Sequence, residues 1–194
     1  MAMKCSLVIP VKTFSSGKSR LASKISLNDR KNLIATCLKN TIELAKKSDY
    51  IDKIVVVSNG EQVKSFADTL EVECHFNNLP LNQALRKSVA LLGQHCQKII
   101  ISPADTILLQ NFEAILNGLK NNRIVLCPDR HRTGTNIIAH DSESRFNYRY
   151  GPNSFGKHLF ESLTFNRPIE ILQEVQYSFD IDTLEDIAIS ESIK

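Results

Sequence analysis

The chain has no paired cysteines. Cys5, Cys37, Cys74, Cys96 and Cys127 are scattered, odd in number and form no Cys-x-x-Cys motif, which argues against a disulfide framework and against a structural zinc site. Cys5, Cys37 and Cys127 lie within apolar patterns, where cysteine acts as a small buried filler. Long apolar runs are missing as well. Those present, such as Lys98-Ile99-Ile100-Ile101, are strand-sized and far short of a membrane span. No hydrophobic leader precedes the strand that follows Met1-Ala2-Met3-Lys4, so a reducing cytoplasm is the expected location. The charges nearly balance too. A formal net charge of +3 gives no ground for a nucleic-acid or acidic-membrane partner. Internal repeats, low-complexity segments and linkers are absent.

What is present is ordinary in bulk. With 194 residues, 42% hydrophobic and 23% charged, the chain reads as a single domain over 1–194, able to bury a real core. Strand and helix signals alternate along it. Cys5–Ile9 reads as a buried first strand ended by Pro10. A long helix follows Ser26-Leu27-Asn28, with Leu33, Ile34, Cys37, Leu38, Ile42 and Ala45 at helical spacing. Strands are expected at Lys53–Val57, Val72–Phe76, Lys98–Ile101, Arg123–Cys127, Asn136–Ala139, Ile169–Leu172 and Tyr177–Ile181. Helices are expected at Glu61–Leu70, Leu81–Cys96 and Phe112–Leu119. Continuous Val/Ile runs between amphipathic helices predict an α/β three-layer sandwich around a largely parallel mixed sheet.

In such sheets ligands bind at the carboxyl ends of strands, and the polar motifs collect there. Pro10–Arg20 follows the first strand, and its Lys12, Lys18 and Arg20 concentrate positive charge suited to a polyphosphate. Gly17-Lys18-Ser19 looks like the end of a P-loop, but the first glycine of that motif should fall where Lys12 stands, so the match fails. Asp105 ends Ser102-Pro103-Ala104-Asp105. In an extended strand, Asp180 and Asp182 of Phe179-Asp180-Ile181-Asp182-Thr183 would share one face. Two such carboxylates repel unless a hard cation lies between them, and with Asp105 they form an oxygen set suited to Mg²⁺ that itself holds phosphates. Asp182-Thr183 is equally a good cap for a helix at 184–187. Asp129-Arg130-His131-Arg132-Thr133-Gly134-Thr135-Asn136 is rich in donors for an anion. Ser154 and nearby amides in Tyr150-Gly151-Pro152-Asn153-Ser154-Phe155 could hold a carboxylate or phosphate, or simply cap a helix. His158 reads as structural, or as a minor source of charge; His75 and His95 have no partner spacing.

Taken together, these blocks resemble the guanylyltransferases of deazaflavin coenzyme (factor-420) biosynthesis, the 2-phospho-L-lactate guanylyltransferase family. The resemblance spans nearly the whole chain. It runs from Ile9-Pro10-Val11-Lys12 with Gly17-Lys18-Ser19-Arg20-Leu21-Ala22, through Leu81-Asn82-Gln83-Ala84-Leu85 and Pro103-Ala104-Asp105, to the Pro128–Asn136, Tyr150–Phe155 and Asp180–Thr183 blocks. It implies a nucleotidyltransferase fold of the GT-A-like kind. The implied reaction transfers GMP from GTP to a small phosphorylated carboxylic acid: 2-phospho-L-lactate, phosphoenolpyruvate or 3-phospho-D-glycerate. The product would pass to the next pathway enzyme. By the same resemblance Asp105, Asp180 and Asp182 would hold Mg²⁺. Pro10, Val11, Lys12, Lys18, Arg20 and Asn82 would face the nucleotide, and Thr135, Gly151 and Ser154 would grip the acceptor's carboxylate. Lys12, Lys18, Arg20 and Asp105 would act on the reacting phosphates.

The chain departs from the family pattern at three places. Ile107 stands where proline is common, and Pro80 and Arg132 stand where glycine is common. The rival readings are an Asp-x-Asp glycosyltransferase using a nucleotide sugar and a nucleotide-binding regulatory protein without turnover. The oligomeric state is left open, a homodimer included.

Overall fold

Six consecutive buried residues, Cys5–Pro10, form strand β1 in the interior of a sheet whose alternate side chains feed two cores. The computed structural model describes residues 3–17, 21–104, 111–174, 177 and 185–186. Helix α1 (Leu27–Lys46) follows β1. It begins at Ser26, whose Oγ accepts the Asp29 amide at 3.1 Å and donates to the Asp29 carboxylate at 2.6 Å, satisfying a helix-start amide that would otherwise be orphaned. Then come β2 (Ile51–Ser58), α2 (Glu61–Thr69), β3 (Glu73–Phe76), α3 (Leu81–Leu92), β4 (Lys98–Ile101), α4 (Glu113–Lys120), β5 (Ile124–Pro128), β6 (Thr135–Asp141), α5 (Ser154–Leu163) and β7 (Ile169–Ile171).

The strand order is β3-β2-β1-β4-β6-β5-β7, and β6 alone among the described strands runs antiparallel to its neighbours. The largely parallel mixed sheet expected from the sequence is what forms. Leu7 and Ile9 pack with Ile34, Leu38 and Ile42 of α1, Val63 of α2 and Ile115 of α4. Val8, Val55 and Ile101 face the other way, onto Leu85 and Val89 of α3 and Phe155 of α5. The pleat therefore sorts one apolar run into two layers of contact, as its period of two requires.

Two expectations are corrected. Helix α3 ends at Leu92 rather than Cys96, because the chain leaves it at Gly93 and closes with His95 and Cys96 amides both donating to the Leu92 carbonyl. A strand was expected from Tyr177, yet Tyr177 is helical and its amide donates to the Glu174 carbonyl at 3.0 Å. Its buried ring fixes that geometry through a hydroxyl bond to the Asn111 carbonyl, while its own carbonyl accepts from Asn136. Residues 178–184 lie outside the described part.

Because β1 connects leftward to β2 while β4 lies on its other side, the strand order reverses between β1 and β4. That reversal opens a crevice at the carboxyl ends of these two strands. Since β6 is antiparallel, its first residue, Thr135, lies at the same end of the sheet.

Candidate active site

The floor of the crevice is set by the backbone leaving β1 and β4. The Val11 amide donates to the Val57 carbonyl at 2.9 Å, the Ser102 amide to Val8 at 3.0 Å and the Ala104 amide to the Pro10 carbonyl at 3.3 Å. Pro10 and Val11 are therefore buried and give the crevice its base, while Lys12 is exposed at its mouth. The loop then turns at Thr13, whose carbonyl accepts the Ser16 and Gly17 amides. It folds back on α1, where Arg30 reaches the Gly17 carbonyl and a Cβ at Gly17 would meet Ile34 at 2.3 Å. Lys18 and Arg20, the other expected phosphate-binding cations, lie outside the described residues. So do Asp105, Asp180 and Asp182, although Ala104 brings the chain to this end of the sheet. Among the described residues there is no cluster of three metal-ligating side chains.

The opposite wall comes from three segments that the sequence scatters over seventy-odd positions. After β5 the chain wraps around Asp129, whose carboxylate accepts the Thr133 amide at 2.8 Å, the Thr133 hydroxyl at 3.1 Å and the Gly134 amide at 2.7 Å. Donors that looked available to an anion are thus used within the loop. Its arginines are also engaged. Arg130 forms a two-pronged pair with the buried Asp186 at 2.6 and 3.3 Å, and Arg132 lies over the Phe155 ring at 5.8 Å. Arg132 has φ of 57°, which explains why glycine would suit this position: a Cβ in the left-handed region costs about 1–2 kcal/mol. Pro80, by contrast, has φ of −53°, ordinary for proline, and its carbonyl accepts the Gln83 and Ala84 amides that start α3.

Thr135, freed from that loop, is buried, and its hydroxyl lies 2.9 Å from Nδ1 of His158. His158 stands one turn beyond Ser154 on the same face of α5, so Thr135 and Ser154 share one corner. The Phe155 amide donating to the Thr133 carbonyl at 3.2 Å closes it. Gly151, with φ of 129° and nothing within 4 Å of where a Cβ would stand, supplies a turn that other residues adopt only under strain. Its carbonyl accepts the Ser154 amide. The structure brings the three expected acceptor-binding residues, Thr135, Gly151 and Ser154, to one place.

Asn82 does something the sequence did not reveal. Its side-chain amide donates to the Tyr150 carbonyl at 3.1 Å and accepts the Tyr150 amide at 2.8 Å. It thereby straps the Tyr150–Asn153 turn to α3, as a neighbouring strand would. If this corner takes the acid, and the Lys12 loop the GTP, as the family resemblance implies, Asn82→Ala is expected to raise the KM for the acid more than that for GTP. It removes two hydrogen bonds of about 1 kcal/mol each. Steady-state kinetics with each substrate varied separate this from a nucleoside contact, which would raise the GTP constant instead.

Two buried histidines hold this wall from behind. Burial lowers the pKa of His140 to about 3; its Nε2 meets the Tyr148 hydroxyl at 2.7 Å, and its ring stacks on Phe146. Burial likewise lowers His158 to about 4, with the nearby Lys157 and Arg149 charges acting in the same direction. The sequence signal that could have singled out His158 is its place on the apolar face of α5, four residues after Ser154.

Residues 5–190 match the family described as "Guanylyl transferase CofC like". The chain is 33% identical over 189 residues to a 2-phospho-L-lactate guanylyltransferase of Methanocaldococcus jannaschii, covering 95% of this chain and 81% of that protein. It is 27% identical over 184 residues to a phosphoenolpyruvate guanylyltransferase of Sphaerobacter thermophilus, covering 93% and 89%. In fold it is similar to a protein of Desulfovibrio desulfuricans assigned to the nucleotide-diphospho-sugar transferases, with a TM-score of 0.78 at 13% identity over 98% of this chain and 87% of that one. It is also similar to a 4-diphosphocytidyl-2C-methyl-D-erythritol synthase of Anaerococcus prevotii, with a TM-score of 0.65 at 14% identity over 98% and 95%.

Proposed function

The chain belongs to the CofC-like guanylyl transferases, and from that premise we propose that it moves GMP from GTP onto the phosphate of a small phosphorylated carboxylic acid, releasing pyrophosphate, in deazaflavin coenzyme biosynthesis. The observation that carries this reading is the convergence of the Lys12 loop and the Thr135–Gly151–Ser154 corner on one end of the sheet. One side suits a triphosphate and the other a carboxylate. A phosphate oxygen of the acceptor attacks the α-phosphorus of GTP in line, and the bond to the bridging oxygen of the β-phosphate breaks. That attacking oxygen is already ionised at neutral pH, so no strong general base is needed, and positioning and charge neutralisation do the catalysis.

Within this scheme Lys12, Lys18 and Arg20 stabilise the departing pyrophosphate. Thr135, Ser154 and the backbone at Gly151 orient the acid by its carboxylate. Asp105, Asp180 and Asp182 are three hard oxygen donors, a set that suits Mg²⁺, and these residues would hold it. Bound there, the ion would offset charge growing on the phosphates.

The test is GTP mixed in turn with 2-phospho-L-lactate, phosphoenolpyruvate and 3-phospho-D-glycerate, with pyrophosphate followed over time. Release that depends on one of these acids is expected. GTP binding with no release for any acid would overturn the reading in favour of a regulatory nucleotide-binding protein. A glycosyltransferase would likewise release no pyrophosphate, and would instead consume a nucleotide sugar. Lys18→Ala and Arg20→Ala should each weaken GTP binding about tenfold or more in calorimetric titration, since a charge-assisted hydrogen bond contributes roughly 1.5–3 kcal/mol. Unchanged GTP affinity in both would return the loop to a merely solvated role.

A further inference from the structure

The geometry assigns His158 as a positioning residue that turns the Thr135 hydroxyl into a hydrogen-bond donor aimed at the acceptor's carboxylate, an inference that rests on the reading of Thr135 given above. The backbone amide of Arg149 lies 2.8 Å from Nε2 of His158 and donates to it. A backbone N–H can only donate, so Nε2 must be the bare, accepting nitrogen. The ring is fully buried and neutral at pH 7, its pKa lowered to about 4 mainly by that burial. A neutral imidazole carries one proton, which here belongs to Nδ1.

Nδ1–H therefore donates to Thr135 Oγ1 at 2.9 Å. The threonine oxygen is filled as an acceptor on that side, and its own hydrogen is left for another acceptor. With the opposite tautomer the hydroxyl would donate into Nδ1 and present only lone pairs to an incoming carboxylate, which repels them. The polarity of one hydroxyl in the site is thus set by a single main-chain amide two bonds of the relay away. The ring has little freedom to escape this arrangement. Tyr150 packs edge-on against it at 4.9 Å and Phe146 lies 6.0 Å away, both measured between ring centroids. Tyr150 is the residue that Asn82 straps in place.

The test is a double-mutant cycle between His158→Gln and Thr135→Val. The acid is varied at saturating GTP, with 2-phospho-L-lactate and phosphoenolpyruvate as probes. Glutamine can still accept from the Arg149 amide with its distal amide oxygen but has no donor where Nδ1 stands. His158→Gln is expected to raise the KM for the acid about fivefold, less than Thr135→Val does, because it removes the neutral hydrogen bond that orients the hydroxyl and not the hydroxyl itself, with the KM for GTP nearly unchanged. In the Thr135→Val background the same change should add nothing. Independent, multiplying effects of the two substitutions, or equal losses toward both substrates, would overturn the assignment. If Thr135→Val alone leaves the acid constant unchanged, the carboxylate reading of Thr135 has failed and the role of His158 falls with it. A normal response to Thr135→Val with none to His158→Gln defeats only the His158 proposal. Nitrogen NMR of the wild-type protein gives a measurement independent of any variant. A proton on Nδ1 and a bare Nε2 are expected, and the reverse tautomer would overturn the inference.

Discussion

Asparagine in place of Asp105, Asp180 or Asp182 is expected to lower kcat for pyrophosphate release by roughly 30- to 1,000-fold, about 2–4 kcal/mol in the barrier. Each replacement keeps the shape of the side chain and removes the charge that a hard cation requires. Asparagine caps a helix about as well as aspartate, so Asp182→Asn should leave the melting temperature nearly unchanged while activity falls. Asp182→Ala should lower both, because helical residues Glu185 and Asp186 follow close behind. Activity is best read at saturating GTP over a Mg²⁺ titration, with thermal melts in parallel. Wild-type kcat in all three asparagine variants at saturating Mg²⁺ would remove the metal assignment. Loss of stability without loss of activity at Asp182→Ala would leave that residue as a cap alone.

Arg130→Ala should show the second-largest effect, and it should appear first as lost stability. Asp186 is 1% exposed and accepts two hydrogen bonds from the guanidinium. Breaking a fully buried pair costs about 3–5 kcal/mol. The Arg130 side chain is 38% exposed, so solvent offsets part of this, and about 1–3 kcal/mol is the reasonable expectation. A fall of several degrees in melting temperature follows from that figure. Because Asp186 stands four residues after Asp182, the Mg²⁺ concentration for half activation should also rise, more than the KM for GTP. A variant with unchanged melting temperature and a raised KM for the acid would show instead that Arg130 touches the acceptor directly.

Much of this was legible in the residues because periodicity reports burial. The continuous runs at Cys5–Ile9 and Ile99–Ile101 call for a sheet covered by helices on both faces, and that is what forms. The long helix read after Ser26-Leu27-Asn28 does start there, through a cap between Ser26 and Asp29 that the chain forms locally. Tyr177 could not be read in that way. Its helical turn is imposed by a ring hydroxyl bonded to Asn111 and a carbonyl bonded to Asn136, partners distant in sequence. The loop Asp129–Gly134 misled for a related reason. Its composition advertises donors, and only the folded loop reveals that Asp129 and Asp186 consume several of them.

By itself, then, the sequence determined the layered α/β architecture, the ordered blocks that place the chain among guanylyl transferases, and the end of the sheet where polar residues would gather. Those properties follow from patterns a few residues long, whose physics is local: pleat, helical turn, cap and charge. The tertiary structure alone decided how the corner at Thr135, Gly151 and Ser154, proposed to take the acceptor, is held. Asn82 strapping Tyr150 and Arg149 fixing the proton of His158 are contacts across separate segments, as is His158 on Thr135. A side-chain amide or an imidazole carries no mark in the sequence of which partner it will meet. Hydrogen-bond direction depends on the proton's location, and that is settled only when folding sets a donor-only amide against one nitrogen and excludes water from the other.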